Sequence, residues 1–231
     1  MLKEGRSSSK IITIDGPAGS GKSTVSRLLA ARINYIYLDT GAMYRAVALV
    51  VTRKKIDLED GERIGEICRK LDLCFKTDED PPRLFLGKED ISAEIRRSDM
   101  DMLSSRVSAV KEVREAMVAL QRRMGGGDGL VAEGRDMGTV VFPDAEYKFF
   151  LTALLKIRAE RRYQERKMRG EKVSLASVEE ELKERDLQDE SRPLSPLRAA
   201  EDAIIIDSSF LTPVEVVDMM YQSIKIGKNK C

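Results

Sequence analysis

The sequence predicts an α/β protein: a parallel β-sheet with helices on both faces. Three observations predict it. Short, nearly continuous apolar runs alternate with segments of helical periodicity, as strands buried on both faces require. The first run, Ile11-Ile12-Thr13-Ile14-Asp15, meets Gly16-Pro17-Ala18-Gly19-Ser20-Gly21-Lys22-Ser23-Thr24, which contains G-x-x-x-x-G-K-S and leads straight into a helical segment. At 231 residues the chain also suits one such domain with insertions and a sizeable core.

Taken in order, Gly5 to Ser9 is a small-polar lead-in, expected to be mobile. After the first strand and the glycine-rich loop, Val25 to Arg32 is helical. Tyr35 to Leu38 forms a second strand and Ala42 to Arg53 a helix, for which Thr40 is a capping candidate. Asp57 to Lys70 is amphipathic, with Ile64, Ile67 and Leu71 on one side. From Asp72 to Ser92 the texture changes to short strands, Leu73 to Lys76 and Arg83 to Gly87, either side of Pro81-Pro82; this predicts a small inserted subdomain. Ala93 to Met124 returns to helix, with a break expected near Ser104-Ser105, and ends in Gly125 to Gly129. Leu130 to Ala132 and Tyr147 to Leu151 are the third and fourth core strands. Leu154 to Arg169 is a long basic helix, and Ser177 with Glu180 reads as a capping box opening the next helix, to about Glu190. Ala203 to Ile206 reads as a fifth buried strand. Thr212-Pro213-Val214-Glu215 then supplies a cap, an N1 proline and an N3 glutamate for the last helix.

The glycine-rich loop is a phosphate site for physical reasons. Gly16, Gly19 and Gly21 can bring backbone N–H groups close to an anion, and the loop ends at a helix N-terminus, where unpaired amides favour negative charge. Lys22 adds a mobile cation for the β- and γ-phosphates, and Ser23 a hydroxyl for Mg²⁺. Residues 16–24 are therefore expected to bind a nucleoside triphosphate.

A kinase also needs a site for its acceptor, and three places can supply one. Asp39 to Arg45 follows a strand end, where open α/β sheets bind ligands; Arg45, one turn into a helix, also suits a solvated face. Glu133-Gly134-Arg135-Asp136 packs three charges beyond another strand end. From Lys156 to Lys172 there are eight cations against three acids, with Arg158, Arg162, Arg166 and Arg169 along one helical face. That segment suits a lid bringing arginines to the transition state, although alone it also suits a solvated stripe or an RNA-binding face. Arg185 and Asp189 stand at i,i+4, the spacing of a simple salt bridge, and Arg192 follows.

Composition narrows the classes. Lys plus Arg total 40 against 39 acids, a net charge of +1, so no global field draws the chain to nucleic acid or membrane. Cys68, Cys74 and Cys231 form neither a disulfide framework nor a metal-ligand spacing and fit a cytosolic protein. Met1 to Lys10 has no apolar core of a signal peptide, and no run approaches a membrane span. Histidine is absent, which excludes a Ser-His triad and an imidazole base. Phosphoryl transfer to an acceptor that is already anionic needs neither.

Together the runs Ile14 to Ser23, Leu38 to Arg45 and Gly134 to Ala145, with Lys183-Glu184-Arg185-Asp186, Asp189 and Arg192, resemble the bacterial-type cytidylate kinases over about residues 10–225. The resemblance implies a nucleoside-monophosphate kinase fold with a five-stranded parallel core (10–40, 130–153 and 193–225). It also implies a monophosphate-binding region carrying the insert (41–124) and a helical lid (154–192), with 1–9 a flexible N-terminus and 226–231 a tail. It implies transfer from ATP, with Mg²⁺, to CMP and dCMP by a cytoplasmic monomer that uses neither nucleic acid nor membrane. Arg45, Arg135 and Arg192 would hold the CMP phosphate; Ser105, Arg114 and Asp136, with Thr40, would contact cytosine; Arg185 and Asp189 would face the sugar. Lys22, Arg135, Asp136, Arg158 and Arg162 are the expected catalytic set. Thr40 stands where the family has serine and Glu133 where aspartate is common. The competing readings are a kinase of UMP, AMP, shikimate or dephospho-coenzyme A, and an RNA-associated P-loop protein; an NKxD sequence, which a GTPase switch would use, is missing.

Overall fold

The structure, a computed structural model, describes residues 10–76, 79, 81–127 and 129–228. The expected mobile lead-in at 1–9 lies outside the described residues, as do the last three residues of the tail. Among the described residues eight strands and eight α-helices follow in order: β1 (Ile11–Asp15), α1 (Lys22–Ile33), β2 (Ile36–Asp39), α2 (Thr40–Lys54), α3 (Gly61–Arg69), β3 (Leu73–Lys76), β4 (Arg83–Leu86), β5 (Glu89–Asp90), α4 (Ser98–Ala109), α5 (Lys111–Met124), β6 (Leu130–Gly134), β7 (Tyr147–Thr152), α6 (Leu155–Met168), α7 (Leu175–Ser191), β8 (Ile204–Asp207) and α8 (Pro213–Lys228). A 3₁₀ turn at Glu94–Arg96 precedes α4, and a π-helical turn at Met137–Val141 follows β6.

Five strands form one parallel sheet in the order β2-β6-β1-β7-β8. The chain lays β2 and β6 on one side of β1, then crosses to β7 and β8 on the other. The carboxyl end of β1 is thus where the strand order reverses, the place where open α/β sheets bind ligands. The β1–β6 register runs from Ile11 opposite Leu130 to Asp15 opposite Gly134. Every residue of β1 and of β6 is buried, as a doubly covered strand requires. Ile12, Ile14, Leu29, Val131, Phe149 and Leu151 form the centre of the core, each worth roughly 1.5–3 kcal/mol for full burial.

The chain divides into two compact units. One comprises residues 1–38, 124–190 and 195–231 and contains most of the parallel sheet. The other comprises 39–123 and 191–194; in it α2 packs on α4, and β3, β4 and β5 form the antiparallel sheet expected for the insert. There Arg53 reaches Glu89 at 2.8 and 2.7 Å and Glu94 at 2.7 Å, ion pairs that solvent screens to about 0–1 kcal/mol each.

Four local expectations are corrected. Asp39, not Thr40, caps α2: its carboxylate accepts from Ala42 N at 2.7 Å, and Thr40 is the first helical residue, buried. The long helix breaks at Val110 rather than at Ser104-Ser105, because the serines satisfy themselves within the turn: Ser104 Oγ donates to Asp101 O and Ser108 Oγ to Ser105 O, both at 2.7 Å. Helix α7 starts two residues before Ser177. Its first turn closes through Ser174, whose Oγ accepts from Ser177 N at 3.0 Å while Ser177 Oγ accepts from Ser174 N at 3.3 Å. Strand β8 exists but is not buried. It lies at the sheet edge, so Ile204 and Ile205 are 41% and 65% exposed and only Ile206 faces the core. The cap predicted for α8 is present, Thr212 N donating to Glu215 Oε2 at 2.7 Å and Glu215 N to Thr212 Oγ1 at 3.3 Å.

Candidate active site

The phosphate loop spans the gap between β1 and α1. Gly16 takes φ +150°, and a Cβ there would lie 2.0 Å from the Leu151 carbonyl oxygen, so no side chain fits between β1 and β7 at this bend. Gly19 and Gly21 also have positive φ, and Gly21 is the residue before α1. A glycine N-cap offers no side-chain acceptor, so it leaves the first amides of α1 to an external anion.

Lys22, the first residue of α1, is buried. Its Nζ donates to Pro17 O at 2.6 Å, with Ser20 Oγ at 3.4 Å. Burial, and then the nearby charge of Arg135, hold its ammonium well below the usual lysine range; Arg185 acts the same way, while Glu133 and Asp15 oppose it. A polyphosphate entering beside this side chain adds the negative charge that favours its protonated form. Ser23 Oγ donates to Glu133 Oε2 at 3.0 Å, and Tyr37 Oη donates to Glu133 Oε1. Tyr37, for which no sequence motif suggests a role, fixes the longer glutamate side chain against the serine. Among the described residues no three acidic or thiol side chains converge as a metal cage. The hard oxygens of Ser23 and Glu133 match Mg²⁺, which uses one or two protein ligands together with substrate phosphates.

Arg135 and Asp136 leave β6 next to the phosphate loop, because Gly134 is opposite Asp15. Arg135 Nε donates to Asp189 Oδ2 at 2.8 Å, so Asp189 pairs across to this loop. Burial works against the Arg135 charge, but Asp189, Asp186 and Glu133 outweigh it, and its pKa lies above the usual arginine value. Asp136 is almost fully buried. The backbone beyond it is held by a side chain the sequence reading passed over: Asp15 Oδ1 accepts from Met137 N at 2.9 Å and Oδ2 from Gly138 N at 2.8 Å.

Burial, opposed by those two amides, moves the Asp15 carboxyl up to about 6; Asp136 adds to the rise and Lys22 opposes it. The raised value favours the protonated form in the fold. That contribution to stability is complete below pH 4 and is lost as pH rises through about 6. Asp15→Asn does not titrate. Its unfolding free energy relative to the unchanged protein should therefore rise by roughly 1–1.5 kcal/mol between pH 5 and pH 8, read by denaturant titration. A difference independent of pH would contradict the assignment.

The basic face expected on α6 is engaged by acids rather than bare. Arg158 is buried, donating to Ala153 O and Ala18 O, each at 3.0 Å, and pairing with Asp186 Oδ2 at 2.7 Å. It ties α6 and α7 to the phosphate loop itself. Arg166 is buried between Glu171 at 2.8 Å and Glu181 at 2.6 Å, while Arg162 and Arg169 both pair with exposed Glu165.

In the other unit a second polar group assembles. Arg45 is half-buried, its guanidinium 3.4 Å from Asp39 and 3.8 Å from Asp101, which excludes the solvated-face reading. Arg192 Nη1 donates to Ser108 Oγ at 3.3 Å. Arg114 Nη1 donates to Ser108 O at 3.1 Å and lies over the Tyr44 ring. Ser105, Arg114, Thr40 and Arg192 are all buried.

Comparison with known proteins bears on this geometry. The family profile described as cytidylate kinase matches residues 12–226. A cytidylate kinase from Geobacter sp. (strain M21) is 47% identical over 220 residues, 95% of this chain and 94% of that protein. A cytidylate kinase from Caldanaerobacter subterraneus subsp. tengcongensis is 50% identical over 214 residues, 93% of this chain and 94% of that one. Among solved structures, an uncharacterized protein from Eubacterium ventriosum shares the fold with a TM-score of 0.51 at 14% identity, covering 94% of this chain and 98% of that one.

Proposed function

The chain belongs to the cytidylate kinase family, and from that premise we propose that it transfers the γ-phosphoryl group of ATP to CMP and dCMP. The observation that carries this reading is the register of β1 and β6. It brings residues 16–24 and the Arg135-Asp136 pair to adjacent strand ends, which supports reading them as a donor grip and an acceptor grip.

Phosphoryl transfer asks for positioning and charge neutralisation more than for covalent chemistry. The CMP phosphate is largely ionised near pH 7, so its oxygen attacks without a general base, in keeping with a chain that lacks histidine. Residues 16–24 grip the donor, with Lys22 on its β- and γ-phosphates. Ser23, with Glu133 behind it, would hold Mg²⁺. When bound, the ion neutralises and orients the phosphate oxygens. Arg135 binds the acceptor phosphate through the part of its planar fork not used by Asp189, and the family resemblance assigns Arg45 and Arg192 to the same phosphate.

Asp136 accepts from the cytosine amino group and Arg114 donates to the ring acceptors, with Ser105 and Thr40 completing the base contacts. Uracil reverses two of those groups and would leave buried polar atoms unpaired. Arg185 and Asp189 face the sugar. Residues 154–192 act as a lid. Its Arg158 supplies a fixed positive field beside the phosphate loop, and Arg162, paired with exposed Glu165, is the lid arginine that turns toward the phosphates.

Coupled measurement of ADP release across CMP, dCMP, UMP, AMP and shikimate tests the reading. CMP and dCMP should stimulate strongly, UMP weakly and the others not at all. Absence of stimulation by both cytidine nucleotides would overturn it, and salt-dependent RNA binding in its place would favour the RNA-associated reading.

A further inference from the structure

The carboxylate of Asp15 has no place in the reaction as described, yet it is buried at the end of the central strand, one residue before the phosphate loop begins. A buried carboxylate is an expensive way to join two backbone segments, and this one also faces the like charge of Asp136. Its partners explain the choice. A planar, two-oxygen acceptor can take the N–H groups of two consecutive residues one on each oxygen, and Met137 N and Gly138 N reach separate oxygens at 2.9 and 2.8 Å. Gly138 permits the approach: a Cβ there would stand 2.9 Å from Thr13 Oγ1.

The consequence falls on the two residues just before. On their N-terminal side β6 is fixed to β1, with Glu133 opposite Ile14 and Gly134 opposite Asp15. On their C-terminal side the chain is fixed by the Asp15 carboxylate. Arg135 and Asp136 are the span between these two anchors, and both anchors belong to β1. We propose that Asp15 is a positioning residue for the acceptor: by holding the backbone at Met137 and Gly138 it sets the Arg135-Asp136 pair in register with the phosphate loop. This inference rests on the reading that Arg135 and Asp136 bind CMP. It assigns to one side chain the distance between donor and acceptor grips.

Steady-state kinetics of Asp15→Ala, Asp15→Asn and Asp136→Ala, with CMP, UMP and ATP varied separately, test it. Loss of two charge-assisted hydrogen bonds in Asp15→Ala should raise KM for CMP about tenfold or more and lower the CMP-over-UMP ratio of kcat/KM by a similar factor. KM for ATP should move less than about twofold, because the phosphate loop keeps its own glycine geometry. Asparagine keeps the size and one acceptor oxygen, so Asp15→Asn should fall between the two; it carries the test if the alanine variant does not fold. A merely structural role would lower the active fraction and leave both KM values and the base preference alone, and that result overturns the inference. Equal rises in KM for CMP and ATP also overturn it. If Asp136→Ala loses the preference for CMP while the Asp15 variants keep it, the inference alone fails. If Asp136→Ala itself keeps the preference, the reading of the site fails and takes the inference with it.

Discussion

Replacing Lys22 by methionine should lower kcat by at least about 10²–10³-fold, the usual loss when a preorganised charge is removed from a transition state. The expected result has a second half that separates a catalytic lysine from a structural one. Lys22 is buried and held below its ordinary pKa by burial and by the charge of Arg135, so its ammonium is a cost to the nucleotide-free fold. Methionine has similar length and no charge to desolvate. Lys22→Met should therefore melt, without nucleotide, at a temperature no lower than the unchanged protein. What it should lose is stabilisation by ATP: a ligand at one hundred times its Kd contributes about 2.7 kcal/mol, and the variant's shift should be far smaller. A variant that melts early, yet keeps the shift, would mean that Lys22 supports the loop without touching the phosphates.

The second large effect concerns Arg135, to which the proposed function gives a second job beside its contact with Asp189. Its guanidinium holds Asp189, itself nearly fully buried, and on the proposed reading it would also bind the acceptor phosphate. Arg135→Ala should lower kcat/KM for CMP by about 10²–10³-fold. It should also destabilise the fold by about 3–5 kcal/mol, since breaking one side of a buried pair leaves the other charge uncompensated. The double variant Arg135→Ala with Asp189→Asn separates the jobs. Removing the stranded charge should recover much of the stability and none of the activity. Recovery of both would reduce Arg135 to a structural partner of Asp189.

The donor half of this site was legible in the sequence because its determinants are local. Three glycines, a lysine and a serine within one loop define backbone shape and charge without help from distant residues. The block Glu133 to Asp136 was legible for a related reason: charges directly beyond an apolar run must sit at a strand end. What escaped the sequence depends on contacts between remote positions. Ser23 and Glu133 are 110 residues apart, Arg135 and Asp189 are 54 apart, and Asp15 lies 122 residues from the first amide it accepts. No periodicity announces such pairs. Arg158 is another such case: helical spacing places it with Arg162 along α6, and only the fold shows it buried against Asp186 and the Ala18 carbonyl.

One signal was available and passed over. Asp15 ends a run of five residues whose other four are apolar or β-branched, and an acid in a central strand has to be matched by donors. The edge position of β8 had no such signal, because three consecutive isoleucines read as buried whether a fifth strand lies inside the sheet or at its margin.

The most direct test is a crystal structure of this chain with CMP bound. The account predicts the nucleotide phosphate within hydrogen-bond distance, about 3 Å, of the Arg135 guanidinium, and the cytosine amino group donating to Asp136. CMP bound with neither contact, or seated on residues 16–24 in place of the triphosphate, would contradict it.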